Sequence, residues 1–125
     1  KACALACRDA RKNMSWYLDG KGFTLDSVDW ICDVQGWTIP WRGNVIQILP
    51  CLGHSPGSVS IVVDRFLFSG DTLLPNGPGP SHLPGGDKVL LATSVSEFRR
   101  KTPDDWIICP GHGYQFQLQD YPLLG

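Results

Sequence analysis

Three short glycine-rich segments each carry one side chain that could bind a metal ion. They are Gly53-His54-Ser55-Pro56-Gly57, Ser69-Gly70-Asp71-Thr72 and Pro110-Gly111-His112-Gly113. Two imidazoles and one carboxylate suit a borderline divalent ion such as zinc, iron or manganese, and glycine or proline in a turn leaves the ligand pointing outward. The segments therefore predict a metal site at His54, Asp71 and His112.

The same segments, in this order, resemble the second half of metallo-β-lactamase-fold hydrolases of the glyoxalase II-like branch, which carry similar runs. The resemblance begins near Cys7-Arg8-Asp9, continues through residues 13–18 and includes Leu83-Pro84-Gly85-Gly86-Asp87. It implies the C-terminal half of an αββα sandwich. The expected fold class is α/β (α+β), a mixed, mostly antiparallel sheet with helices on one face.

The resemblance also implies roles for the three residues. His54 would complete one metal, His112 would complete the other, and Asp71 would bridge the two ions and act in catalysis. The His-x-His-x-Asp-His cluster that supplies the family's other ligands does not occur, since His82 is the only further histidine. Catalytic zinc sites use about three protein ligands plus water. We therefore expect two ions, zinc or else iron or manganese, in the complete family site, and weak or no binding by this chain alone.

Each candidate also has a plain structural interpretation. His54 could be an ordinary loop residue, and Asp71 could simply accept backbone hydrogen bonds at a strand end. Their joint occurrence with the flanking segments favours the metal site. His82, in a Pro- and Gly-rich loop, is predicted to be solvated and outside the site. Cys51 could be a nucleophile or ligand if it faced the site, but packing at a strand end explains it sufficiently.

Two functions from different classes follow. The first is a metal-dependent hydrolase, in which a metal-bound hydroxide attacks a thioester or ester carbonyl of a small molecule once an upstream segment or companion chain supplies the missing ligands. The second is a non-catalytic scaffold that covers a bare sheet face by forming a homodimer or binding a companion N-terminal segment. A β-lactamase ranks third, because zinc β-lactamases commonly have Cys where Asp71 stands; a persulfide dioxygenase with one iron is a further alternative.

Composition limits the remaining classes. A chain of 125 residues, 42% hydrophobic and 18% charged, predicts one domain over residues 1–125. A formal charge of −1 gives no basic surface for nucleic acid. No long apolar run or signal sequence is visible, and five cysteines without C-x-x-C spacing indicate reduced thiols, so we expect a cytoplasmic protein away from membranes. Because Lys1 is not methionine, we expect a processed, excerpted or truncated chain.

Periodicity predicts the elements that position the three side chains. The predicted helices cover residues 2–12, 15–18 and a segment that begins after Asp87 with Leu91, Val95 and Phe98 on its apolar face. The predicted strands cover residues 30–32, 44–49, 58–63, 66–68 and 106–109. A turn is predicted between Gly36 and Pro40, a surface tail over residues 114–125, and an exposed contact patch at Trp37 and Trp41.

Overall fold

A six-stranded sheet carries most of the ordered structure in the computed structural model, which describes residues 2–29, 31–32 and 35–122. The spatial order is β1-β2-β3-β4-β7-β8; β4 and β7 are parallel, and the other neighbouring pairs are antiparallel. Its strands are β1 (Trp37–Trp41), β2 (Asn44–Pro50), β3 (Val59–Val63), β4 (Phe66–Gly70), β7 (Ile107–Pro110) and β8 (Phe116–Gln117). Strands β5 (Leu73–Leu74) and β6 (Gly77–Pro78) form a separate small sheet. The predicted mixed, mostly antiparallel sheet is confirmed.

Two tight turns connect the antiparallel strands. Arg42 and Gly43, between β1 and β2, both have positive φ, 48° and 82°, as the two-residue turn of a twisted hairpin requires. Asp64, in the predicted turn between β3 and β4, also has positive φ, at 54°. The observed strands β2, β3 and β4, which these turns border, confirm the strands predicted at 44–49, 58–63 and 66–68.

The long helix α3 (Lys88–Lys101) forms the crossover between the parallel strands β4 and β7. The Asp87 carboxylate accepts hydrogen bonds from the backbone N–H groups of Val89 and Leu90, at 2.8 and 2.9 Å, and so caps the first turn. The three predicted apolar residues are buried against the sheet: Leu91, Val95 and Phe98. Both the capping residue and the buried helix face were predicted correctly.

The sheet has two apolar faces, assigned from the strand register because residues opposite each other share a face. The core face packs under α3 through Leu49, Ser60, Val62, Leu67, Ser69, Ile108 and Phe116, while Thr38 and Gln47 lie on the same side at its exposed β1–β2 end. The open face lies on the other side, and its apolar residues on the central strands and β1 are Trp37, Ile39, Trp41, Ile46, Ile48, Val59, Ile61, Val63, Phe66, Phe68, Ile107 and Cys109. The same register places Asn44, Pro50 and Gln117 on this face. Each open-face side chain is exposed or half-buried. On β3 the strand therefore buries Ser60 and Val62 and leaves Ile61 in solvent.

Two predictions before β2 were wrong. Ile31 and Cys32 belong to no strand, while Trp30, the first residue of that predicted strand, lies outside the described residues. The predicted turn between Gly36 and Pro40 is instead strand β1. Proline is tolerated there because β1 is the outermost strand of its sheet. No strand lies on its outer side, so a missing N–H on that side removes no hydrogen bond between strands.

The N-terminal helix is shorter than predicted. Helix α1 covers Ala2–Ala6, and the Asp9 carboxylate accepts hydrogen bonds from the backbone N–H groups of Arg11 and Lys12. Such a local side-chain turn competes with helix continuation. Helix α2 (Trp16–Asp19) confirms the second short helix, and Gly20 ends it with φ of 73°. No helix in the described part of the chain is long and apolar enough to cross a membrane.

The predicted surface tail was also wrong in its first part. After β8 the chain makes one 3₁₀ turn at Leu118–Asp120, and Leu118 and Tyr121 are buried in the core. The Arg99 guanidinium donates hydrogen bonds to the carbonyl oxygens of both residues, at 3.3 and 3.4 Å. Residues 123–125 of the predicted tail lie outside the described residues.

Candidate metal centre

His54, Asp71 and His112 lie in the segments that follow β2, β4 and β7. Because β2 and β4 are each antiparallel to β3, and β4 is parallel to β7, these three strands run in the same direction. Their C-terminal ends therefore meet at one edge of the sheet. Such an edge is where loops can bring side chains that are distant in sequence into one site.

Asp71 lies between the two histidines. One carboxylate oxygen, Oδ1, is 2.7 Å from His112 Nδ1, and the other, Oδ2, is 3.7 Å from His54 Nε2. The Asp71 and His54 side chains are 19% and 21% exposed, whereas His112 is 79% exposed. The structure thus brings together all three residues that the sequence singled out, with His112 on the solvent side.

A backbone carbonyl fixes the orientation of His54. Its Nδ1 lies 2.7 Å from the carbonyl oxygen of Pro80, which can only accept a hydrogen bond, so Nδ1 must carry the proton. In the neutral ring, the Nε2 lone pair then faces Asp71 Oδ2, which is also an acceptor. Metal-ligating histidines typically use the second ring nitrogen in this way. Two facing acceptors favour a cation between them.

The two halves of the cluster differ in spacing. Two ligands of one tetrahedral ion, with bonds of about 2.0–2.2 Å, lie roughly 3.4 Å apart. The 3.7 Å between His54 Nε2 and Asp71 Oδ2 is close to that separation, whereas the 2.7 Å to His112 is that of a direct hydrogen bond. Within residues 2–29, 31–32 and 35–122, no three His, Cys, Asp or Glu side chains form a group that could hold one ion. The residues present fit part of a metal site.

Buried polar side chains fix the turn that carries Asp71. Ser69 donates a hydrogen bond to the Leu73 carbonyl oxygen at 2.9 Å, and Thr72 donates one to the Cys51 sulfur at 3.2 Å. The sulfur also lies 3.2 Å from the Ser60 hydroxyl. The turn is thereby linked to the end of β2 and to β3. The sequence motifs included Ser69 and Thr72 but gave no sign of this linkage, because it joins residues from separate strands.

Cys51 has the packing role expected of it. It is 1% exposed, and burial raises the pKa of its thiol, although hydrogen bonds with Ser60 and Thr72 act in the opposite direction. A buried, protonated thiol is a poor nucleophile. Cys51 therefore supports the Asp71 turn from inside the core.

Close backbone approach explains one glycine at the site. A Cβ atom at Gly111 would lie 2.5 Å from Asp71 Oδ1, and the Gly111 N–H donates a 2.8 Å hydrogen bond to the Gly70 carbonyl oxygen. Any larger residue would displace the carboxylate. Gly111 thus allows the segments after β4 and β7 to pack together.

A cavity lies next to the cluster, and the third histidine of the sequence, His82, lies outside it. A cavity of about 330 Å³ lies beside His112 and is lined by residues 74–78 and 112–114. His82 is exposed in its loop, as predicted. The sequence gave no sign of the Pro80 carbonyl contact, because a backbone acceptor 26 residues from His54 has no residue-type signature.

Comparison with curated proteins finds a probable metallo-hydrolase and a hydroxyacylglutathione hydrolase. The chain is 41% identical over 111 residues to the probable metallo-hydrolase YqgX of Bacillus subtilis (strain 168), covering 84% of this chain and 50% of that protein. It is 46% identical over 83 residues to a hydroxyacylglutathione hydrolase of Polaromonas sp., covering 58% of this chain and 31% of that protein. The chain thus spans half or less of the length of these two relatives.

Solved structures show the same fold. The BLEG-1 B3 metallo-beta-lactamase superposes with a TM-score of 0.77 at 28% identity, over 91% of this chain and 56% of that chain. TTHA1623, solved in a di-iron-bound form, superposes with a TM-score of 0.69 at 25% identity, over 88% of this chain and 54% of that chain. The model of the metallo-beta-lactamase superfamily matches residues 5–112, and with the shared sheet and the two relatives above, this shows that the chain belongs to that superfamily.

Proposed function

We propose that this chain supplies one side of a metal-dependent hydrolase site that acts on a small thioester or ester. The observation that carries the proposal is the convergence of two histidines on the Asp71 carboxylate at one edge of the sheet. The hydroxyacylglutathione hydrolase relative favours an acyl group attached to a thiol as the substrate class. The remaining metal ligands come from a segment beyond this chain.

Each residue has a role that its own geometry supports. His54, held by the Pro80 carbonyl, presents Nε2 to a cation, and Asp71 offers one oxygen toward each histidine. His112, the most exposed of the three, would release its hydrogen bond to Asp71 when it takes up a ligand role. Divalent ions at such a site lower the pKa of bound water to about 7 and polarise the carbonyl. The cavity beside His112 offers space for the acyl group.

The experiment that tests this proposal adds the metal ligands that the sequence does not contain. The chain is assayed on an acyl-glutathione thioester, alone and together with a segment that carries the His-x-His-x-Asp-His ligands, and metal content is measured after dialysis against a mild chelator. We expect substoichiometric metal and no turnover from the chain alone, and both in the combined protein. Failure of the added segment to raise turnover would contradict the proposal, as would two retained ions per chain without it.

Variants of the combined protein make the test specific to the proposed residues. Asp71→Asn keeps the shape of the side chain and removes the charge, so turnover should fall by more than the roughly 10–100-fold typical of residues that only support a ligand. His82→Gln is the matched control, since His82 is exposed and lies outside the cluster. Equal turnover of the Asp71→Asn and His82→Gln proteins would exclude Asp71 from the site.

A second candidate function is that of a non-catalytic scaffold. It is favoured by the exposed apolar side chains of the open face, which indicate a surface for protein contact. This function requires no metal, so in the combined protein it leaves the Asp71→Asn variant indistinguishable from the His82→Gln control. A chromogenic cephalosporin in the same assay tests the third candidate, a β-lactamase.

A further inference from the structure

A short hairpin joins Asp71 to the backbone group that holds His54. The β5–β6 hairpin begins two residues after Asp71, and its two strands pair antiparallel around a two-residue turn. The second strand therefore returns the chain toward the place where the first strand began. Gly79 and Pro80 follow β6 directly, and they contact Asp71 and His54 respectively.

Gly79 packs directly against the backbone of Asp71. A Cβ atom at this position would overlap the Asp71 carbonyl oxygen and would lie 3.3 Å from the Asp71 Cβ atom. Only glycine allows two backbone segments to approach each other this closely. Gly79 is buried, so the contact lies away from solvent. It fixes where the returning chain lies relative to Asp71.

Pro80 then presents its carbonyl oxygen to His54. The oxygen is 2.7 Å from His54 Nδ1, and this hydrogen bond leaves Nε2 directed at Asp71 Oδ2, which is 3.7 Å away. Pro80 and Pro78 each have a fixed φ, so few backbone rotations are available to the returning chain. The relative position of the His54 and Asp71 side chains is therefore determined by the segment 71–80.

The hairpin also packs against the segment that carries the third candidate ligand. Pro75, in the turn of the hairpin, lies so close to Gly113 that a Cβ atom at Gly113 would be 2.9 Å from Pro75 Cγ. Core packing explains Leu73, whose side chain is fully buried. It does not explain why the rest of the hairpin lies against all three segments that carry His54, Asp71 and His112.

We propose that the β5–β6 hairpin, through Gly79 and Pro80, positions His54 and Asp71 as a pair before any metal binds. Gly79 and Pro80 are positioning residues, because they act only through the two side chains. A pair whose geometry is already set loses less conformational freedom when it binds a cation. The assignment of the pair to a metal rests on the proposed function, whereas the positioning is measured in the metal-free chain.

Nitrogen NMR of the histidine rings in the unaltered, metal-free chain tests the positioning. At about pH 9, where histidine rings are neutral, we expect the His54 proton on Nδ1, because the Pro80 carbonyl can only accept a hydrogen bond. The exposed ring of His82 is the internal reference for a solvated imidazole. A His54 proton on Nε2, or one distributed over both nitrogens as in His82, would overturn the proposal.

Gly79→Ala is the variant that separates the hairpin from the two side chains. The added methyl group forces the returning chain away from Asp71, so the His54 proton should no longer be confined to Nδ1. Zinc affinity of the combined protein should fall about 10–100-fold. Gly43→Ala is the matched control, because Gly43 has a φ of 82° in the turn before β2, at the opposite edge of the sheet. This variant also strains the backbone but should leave both measurements unchanged.

The outcomes distinguish this inference from the proposed function. If the Gly79→Ala chain does not fold, as judged by circular dichroism, the position of the His54 proton in the unaltered chain still decides the matter. A folded Gly79→Ala protein with the His54 proton on Nδ1 and the zinc affinity of the parent would show that the hairpin does not position the pair. A combined parent protein that binds no zinc contradicts the proposed function and leaves the proton measurement as the test of the hairpin.

Discussion

The two faces of the sheet have similar apolar side chains but different surroundings. On the core face, Leu67 and Ile108 are fully buried under α3, whereas Phe68, the residue next to Leu67, is 45% exposed on the open face. Alternation along a strand sends neighbours to opposite faces, so both faces are built by the same short segments. The difference shows that sequence pattern determines which residues share a face, but not whether that face is covered.

Separate truncation of the neighbouring residues Leu67 and Phe68 tests this difference between the two faces most directly. Leu67→Ala should lower the free energy of unfolding by about 2–5 kcal/mol, because it leaves a cavity in the core. Phe68→Ala, at a concentration low enough to keep the chain monomeric, should cost only about 1–2 kcal/mol, since Phe68 is already 45% exposed. Urea unfolding at about 1 µM measures both. Equal losses would mean that both faces are covered in the monomer.

The pH dependence of stability tests whether the Tyr121 hydroxyl is shielded from water in the core. Burial raises the pKa of Tyr121 from 10.0 to about 12, and Arg99 acts in the opposite direction. Between pH 10 and 12 the unfolded chain has lost this proton while the folded chain keeps it, so stability should fall by about 1.4 kcal/mol per pH unit. Below pH 10 Tyr121 contributes no pH dependence.

Tyr121→Phe is the control for that slope, because other groups also titrate at high pH. The Tyr121 hydroxyl is buried and has no hydrogen-bond partner among the described residues. The variant should therefore match or slightly exceed the parent in stability at pH 8 and lose less between pH 10 and 11. Urea unfolding at the three pH values gives the comparison. Identical pH slopes for the two proteins would show that the hydroxyl is solvated.

The smallest expected effect concerns the helix that covers the core face. Asp87→Ala removes the carboxylate that accepts from the Val89 and Leu90 N–H groups, and should cost about 1 kcal/mol. Asp105→Ala, at an exposed position before β7, is the matched control and should change stability by less than about 0.5 kcal/mol. Thermal unfolding followed by circular dichroism distinguishes the two. No difference would mean that α3 is held by the sheet contacts alone.

Local signals account for what the sequence predicted correctly. Asp87 caps a helix whose first N–H groups lie within three residues of it, and the turn at Asp64 lies between two apolar runs. In both cases residues close together in the sequence determine the local structure. The family motifs likewise located the three converging residues at one sheet edge. That these residues bind metal stays a prediction, as do the single domain over residues 1–125 and the homodimer.

Tertiary contacts account for what the sequence did not show. Leu118 and Tyr121 follow no clear periodicity, and their burial depends on where β8 and α3 lie. Pro40 indicated a turn because proline is tolerated in a strand only at the edge of a sheet. The sequence does not show that β1 is the outermost strand. The hydrogen bond from His54 to Pro80 could not be inferred because the acceptor is a main-chain atom.

Pro40 has a further consequence for the behaviour of the chain in concentrated solution. An outer strand with a full row of free donors and acceptors can recruit strands from other molecules and seed fibrils. The proline ring in β1 removes one donor from that outer row, so ribbon-like extension through β1 is disfavoured.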